Sequence, residues 1–176
     1  MNKVFFNLMA ALLVLGSPIG HSQHQTEDPS IQGRGFRAAG IIGHTLIYSK
    51  GIDHVFVPSW GLDFEYWFNH SWGLGLHNDI EVETFIIRNA EGQFVERENP
   101  LVLTLDMLYQ FGGGWVVTIG PGVELERAES FYLVRLGLEY EKDITNSLYL
   151  LPTIFLDQRL DGYNTWSFGL GIGKKL

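Results

Sequence analysis

From residue 32 onward the chain alternates between apolar and polar positions in eight runs, at 32–48, 55–68, 72–88, 101–111, 115–126, 131–141, 147–159 and 163–175. A period of two sends successive side chains to opposite faces of an extended segment, so each run predicts a strand. The separators "SKGIDH", "NHS", "NAEGQFVEREN", "GGG", "RAES", "KDITN" and "LDGYN" carry the Gly, Asn, Asp and Ser that turns require. No segment has the spacing of a helix of three turns. Eight strands joined by short connections predict an all-β, antiparallel up-and-down meander.

The two faces differ sharply. One parity holds Trp60, Leu62, Phe64, Tyr66 and Phe68 in the second run, Leu101 to Phe111 in the fourth, Trp115 to Leu125 in the fifth, and Trp166, Phe168, Leu170 and Ile172 in the last. The other parity holds Asp63 and Glu65, then Thr104 and Asp106, then Arg135, Gly137 and Glu139. The stretch "HNDIEVETFII" puts His77, Asp79, Glu81 and Glu83 together on one face, with Ile80 and Val82 on the other. In the first run both parities are apolar, so its register is not set by the pattern.

Two architectures share this alternation. A soluble, lipocalin-like calyx turns the apolar face inward and would bind a small apolar ligand, whereas a transmembrane barrel turns it outward to lipid. The aromatics distinguish them. Tyr66 and Phe68 precede one turn and Trp72 follows it, Phe111 precedes the next and Trp115 follows it, and Tyr140 precedes the third. Gathered at one end of three hairpins, these six suit a membrane-interface belt. The runs also exceed the roughly 9 to 11 residues that a tilted membrane strand needs. The predicted fold is therefore an eight-stranded transmembrane β-barrel. His77, Asp79, Glu81, Glu83, Asp63, Asp106 and Arg135 are then expected in its lumen.

Composition supports export and membrane insertion. Charged residues make up only 18% of the chain, aromatics make up 14%, and there are 21 glycines, a mix suited to many short strands. Residues 1–22 have a lysine, an apolar run and small residues near Ser22, the pattern of a cleaved secretory signal. Residues 23–31 read as a polar linker and 32–176 as the barrel domain. A net charge of −8 disfavours nucleic acid as a partner. The absence of cysteine excludes a disulfide framework and thiolate metal sites.

The exported eight-strand meander with its closing strand "YNTWSFGLGIGKKL" resembles the small outer-membrane β-barrel proteins of Gram-negative bacteria. The resemblance covers nearly all of the chain beyond the signal. It implies residence in the cell outer membrane, contact with outer-membrane lipids, and delivery by the barrel-insertion machinery. It also implies that the connections "SKGIDH", "NAEGQFVEREN", "RAES" and "LDGYN" face outward.

Candidate chemistry is sparse. Alternate residues on a strand lie about 7 Å apart, so no single ion reaches all of His77, Asp79, Glu81 and Glu83. No metal or other cofactor is therefore expected, and the cluster reads as a polar plug filling a narrow barrel. Some barrels of this class modify lipids with His and Ser. His44–Thr45 and His70–Ser71 are the nearest such pairs here, but neighbours on a strand face opposite ways. A structural or surface-interaction protein is the leading reading, ahead of the soluble binder and the lipid-modifying enzyme. Residues 89–99 form the longest connection and the surface on which a partner is expected, although it reads as an ordinary exposed loop.

Overall fold

The computed structural model describes residues 33–49, 54–89, 91–127, 129–160 and 162–176. The expected signal (1–22) and linker (23–31) lie outside the described residues. The strands are β1 (Gly35–Tyr48), β2 (Val55–Trp67), β3 (Trp72–Glu81), β4 (Thr84–Arg88), β5 (Phe94–Glu98), β6 (Leu101–Gly112), β7 (Trp115–Leu125), β8 (Phe131–Tyr140), β9 (Lys142–Asp143), β10 (Leu148–Arg159) and β11 (Asn164–Lys175). The main sheet runs β11-β1-β2-β3-β6-β7-β8-β10, all antiparallel, and β10 also pairs with β11. That last pairing closes an eight-stranded barrel and removes the sheet edges.

The face assignment follows from the residues. Leu105, Met107, Ile119, Leu136 and Leu170 point outward and are exposed, whereas Glu65, His77, Asp106, Arg135 and Glu139 point inward and are buried. An outer wall this apolar, with the charge inside, requires lipid as its solvent. β1 settles into the same frame, with Arg37, Ala39, Ile41 and Thr45 inward and Phe36, Ile42 and His44 outward.

Glycine shapes the interior at two places. A Cβ at Gly75 would lie 2.5 Å from the His77 ring, and one at Gly137 would lie 2.2 Å from Thr118 Oγ1. Both positions let a neighbouring side chain lie flat against the wall. The turn after β6 uses φ values of +114°, +61° and +88° at Gly112, Gly113 and Gly114, which side chains rarely adopt.

The run 72–88 is not one strand. β3 leaves the wall after Glu81, and β4 pairs instead with β5 in a separate two-stranded hairpin. Residues 89–99 therefore include a strand, where the sequence reading expected only a loop. Asn99 takes a left-handed φ of +47° where the chain turns back into the wall at Pro100.

The hairpin's inner face explains the break. Phe85 and Ile87 pack with Ile47, Val57, Phe131 and Tyr163 across the barrel mouth. Continuing straight would leave these two apolar side chains in water, so bending over the mouth buries them.

Candidate functional site

The barrel has a terminal end, where β1 begins and β11 ends, and a hairpin end, where β4 and β5 lie. Between them the inward side chains form a ladder of charge contacts. Nearest the terminal end, Trp67 packs with Leu108 and Val116. Its Nε1 donates to Glu65 Oε2 at 2.7 Å, and the Arg37 guanidinium lies 4.3 Å above its ring. Arg37 also forms an ion pair with Glu141. Burial pushes the Glu141 carboxyl above the usual carboxylate range, and the Arg37 guanidinium opposes the shift.

The next level holds His77, fully buried, with Nδ1 2.9 Å from Asp106 Oδ2 and Nε2 3.8 Å from Glu65 Oε1. Asp63 stands directly across from His77 in the β2–β3 register and is also buried. Above it, Arg135 donates from Nε and Nη2 to the two oxygens of Asp157, each at 2.7 Å. Its Nη1 lies 2.6 Å from Asp79 Oδ2. Asp157 is the cross-strand neighbour of Arg135, but Asp79 comes from β3 on the opposite wall. One guanidinium thus ties the two sides of the barrel together.

At the hairpin end, Glu124 accepts from both Arg97 and Arg159 and takes a 2.8 Å hydrogen bond from the Tyr163 hydroxyl. Arg159 also reaches Thr165 Oγ1 at 3.0 Å and lies 3.6 Å from Glu81. Burial pushes the Tyr163 phenol well up, against the pull of Arg159. Arg97 belongs to β5, so this knot fastens the hairpin to β7, β10 and the chain entering β11.

Of the residues named from the sequence, His77, Asp63, Asp106, Arg135 and Glu81 are buried inside the barrel, and Asp79 is partly buried among them. Glu83 is not. It lies past the end of β3, exposed, where the chain bends away from the wall. The period-two rule stops applying once the strand stops.

Sequence reasoning missed Arg97 and Trp67. Arg97 was hidden by the loop reading of 89–99, although the alternation of Val95 and Arg97 against Phe94, Glu96 and Glu98 was available. Trp67 was placed on neither face, although it shares the parity of Asp63 and Glu65. The interior is also less uniformly polar than the pattern implied, since Ala39, Ile41, Tyr149 and Leu151 pack together inside.

The six rim aromatics sit together around the terminal end. Tyr66 contacts Phe36 and Phe68, with ring centroids 4.7 and 5.4 Å away, and Arg34 donates to its hydroxyl. Trp72 lies against Tyr109 at 4.5 Å and Trp115 against Tyr140 at 4.9 Å, while Phe111 is exposed beside the glycine turn.

The histidine pairs do not assemble a nucleophile and base. His44 faces outward and stacks on Phe56, whereas Thr45 faces inward and meets Ser167. His70 lies in the β2–β3 turn, which is held by the Asn69 side chain accepting from the Ser71 and Trp72 amides. Among the described residues no group of three or more His, Asp or Glu side chains is placed to hold a metal ion.

No family model and no curated protein matches the chain. Solved structures do match. Neisserial surface protein A superposes with a TM-score of 0.61 at 10% identity, covering 81% of this chain and 97% of that one. The N-terminal β-barrel domain of Pseudomonas aeruginosa OprF gives 0.59 at 14% identity, over 82% and 100% of the two chains. Ail, the attachment invasion locus protein of Yersinia pestis, gives 0.55 at 13% identity, over 80% and 99%. The chain has the fold of the small eight-stranded outer-membrane β-barrels.

Proposed function

We propose that the protein is an integral outer-membrane barrel whose interior is packed shut, and that it serves a structural or surface-interaction role rather than catalysis or transport. The observation that carries this reading is the cross-barrel pairing of Arg135, which is hydrogen-bonded to Asp157 on one wall at 2.7 Å and forms an ion pair with Asp79 on the other at 2.6 Å. A guanidinium that meets carboxylates from two walls fills much of the cross-section of an eight-stranded barrel at its level, which supports a closed interior. The Trp67 and Glu124 levels support the same reading from either side. In this arrangement the terminal end faces the periplasm, its aromatic rim sits at the inner headgroup level, and the hairpin projects outward. The insertion machinery that serves such barrels would place it there.

The hairpin surface is the part available to a partner. Glu83, Glu91, Glu96 and Glu98 are all exposed on or beside it. Ail is known in complex with the heparin analogue sucrose octasulfate, but a polyanion of that kind would be repelled by this face.

Single-channel recording in planar bilayers tests the closed interior. The refolded protein is expected to insert and give no sustained conductance steps. Steady open-channel current from the wild type would overturn the reading.

A further inference from the structure

β5 carries an open hydrogen-bonding edge. In an antiparallel pair, residues that exchange both backbone bonds alternate with residues whose N–H and C=O point away from the partner. Asn89 N–H donates to Gln93 C=O and Asn99 N–H donates to Glu83 C=O, which bracket the β4–β5 ladder. The bonded pairs in between are therefore Phe85–Arg97 and Ile87–Val95. The backbone groups of Phe94, Glu96 and Glu98 must point away from β4.

Nothing among the described residues meets them. Continued upward, the barrel wall would supply β7 as the neighbour of this edge, since β7 pairs with β6 as far as Leu125 opposite Leu101. But β7 ends at Leu125, and the chain there turns toward β8. A groove of about 490 Å³ lies along the edge instead, lined by Glu91, Phe94, Val95, Glu96 and Glu129 among others.

The groove has a definite charge. Glu91 and Glu96 are exposed and Glu129 is half-buried, and among the described residues none of the three carboxylates forms an ion pair. Of the two arginines on the hairpin, Arg97 is turned away from the groove and Arg88 borders it. Arg97 points inward to Glu124, while Arg88 lies over the Phe94 ring and donates its amide to Ser49.

We infer that this edge is a docking site for an extended, basic peptide segment of a partner protein, which adds as a third strand beside β5. Main-chain bonds to Phe94, Glu96 and Glu98 would supply the pairing. Glu91, Glu96 and Glu129 would select lysine or arginine, and the exposed Phe94 ring would bury the aliphatic stems of those side chains. The inference rests on the outward orientation of the hairpin proposed above.

The test uses the full chain refolded in liposomes and a short fluorescent peptide of alternating lysine and threonine. Its glutamate–threonine counterpart and a lysine–threonine peptide N-methylated on alternate amides serve as controls. The basic peptide is expected to bind, and the two controls are expected to bind at least about tenfold more weakly.

Glu96→Pro removes one edge N–H, at a position where an edge strand tolerates proline. The triple change Glu91→Gln, Glu96→Gln, Glu129→Gln removes the charge and keeps the edge. Each is expected to weaken binding about tenfold or more. Equal binding of the N-methylated peptide to the wild type overturns the inference, as does a wild type that binds none of the peptides. A concentration-dependent dimer that Glu96→Pro abolishes also overturns it, because the edge then belongs to a second copy. Conductance and membrane insertion are measured on the same liposomes. A closed, inserted barrel without peptide binding refutes only the docking site.

Discussion

β3 and β4 fall in one stretch, 72–88, that the sequence reading took as a single strand, yet they obey opposite rules. In β3 the buried positions are polar (His77 and Glu81) and the exposed ones are apolar (Leu74 and Leu76). In β4, past Glu83, the parity of burial is unchanged, but the buried positions are now Phe85 and Ile87, and Thr84 and Ile86 are exposed. The backbone geometry is the same, so the inversion records a change of solvent. β3 has lipid outside and a charged interior, while the hairpin has water outside and an apolar cluster beneath it. The chain itself marks the crossing at Glu81-Val82-Glu83, where it leaves the wall.

The contrast can be broken most severely from inside the barrel. Arg135→Ala strands Asp157 and Asp79 in a buried site and should cost about 3 to 5 kcal/mol, measured by urea unfolding from liposomes. A loss below about 1 kcal/mol would mean that water already reaches these carboxylates.

A charge on the lipid face comes next. Leu105→Lys, half-exposed on the outer wall, should cost about 2 to 4 kcal/mol near the bilayer midplane. Full tolerance there would show that the wall does not face lipid.

The hairpin should fail locally. Phe85→Ala removes the centre of the apolar cluster over the mouth, which should lower hydrogen-exchange protection of β4 and β5 about tenfold or more while barrel amides stay protected. A matching loss of protection in β6 and β7 would mean that the hairpin is part of the barrel's cooperative unit.

The smallest effect is expected at Ile86, exposed on the hairpin's outer face. Ile86→Lys should change stability by less than about 0.5 kcal/mol. A cost comparable to that of Leu105→Lys would place the hairpin inside the bilayer.

Alternation alone determined most of the fold: the number of wall strands, their boundaries to within a few residues except at the third, where the run 72–88 overshoots the end of β3 at Glu81, the outward belt, and the rim that gathers Tyr66, Trp72 and Trp115. It could do so because each wall strand has one solvent on each side along its whole length, and a period of two then writes the environment into the sequence. His77, Asp63, Asp106 and Arg135 were legible as inward residues for the same reason. Which of them meet was not. Arg135 reaches Asp79 across the barrel, and Glu124 gathers Arg97, Arg159 and Tyr163 from three separate segments. Such contacts depend on closure and stagger, which no single strand's pattern contains. Glu83 and Arg97 were misplaced for a related reason. Their positions depend on the chain leaving the sheet at Val82, and that bend is set by the apolar surface that Phe85 and Ile87 find over the mouth once the barrel has closed.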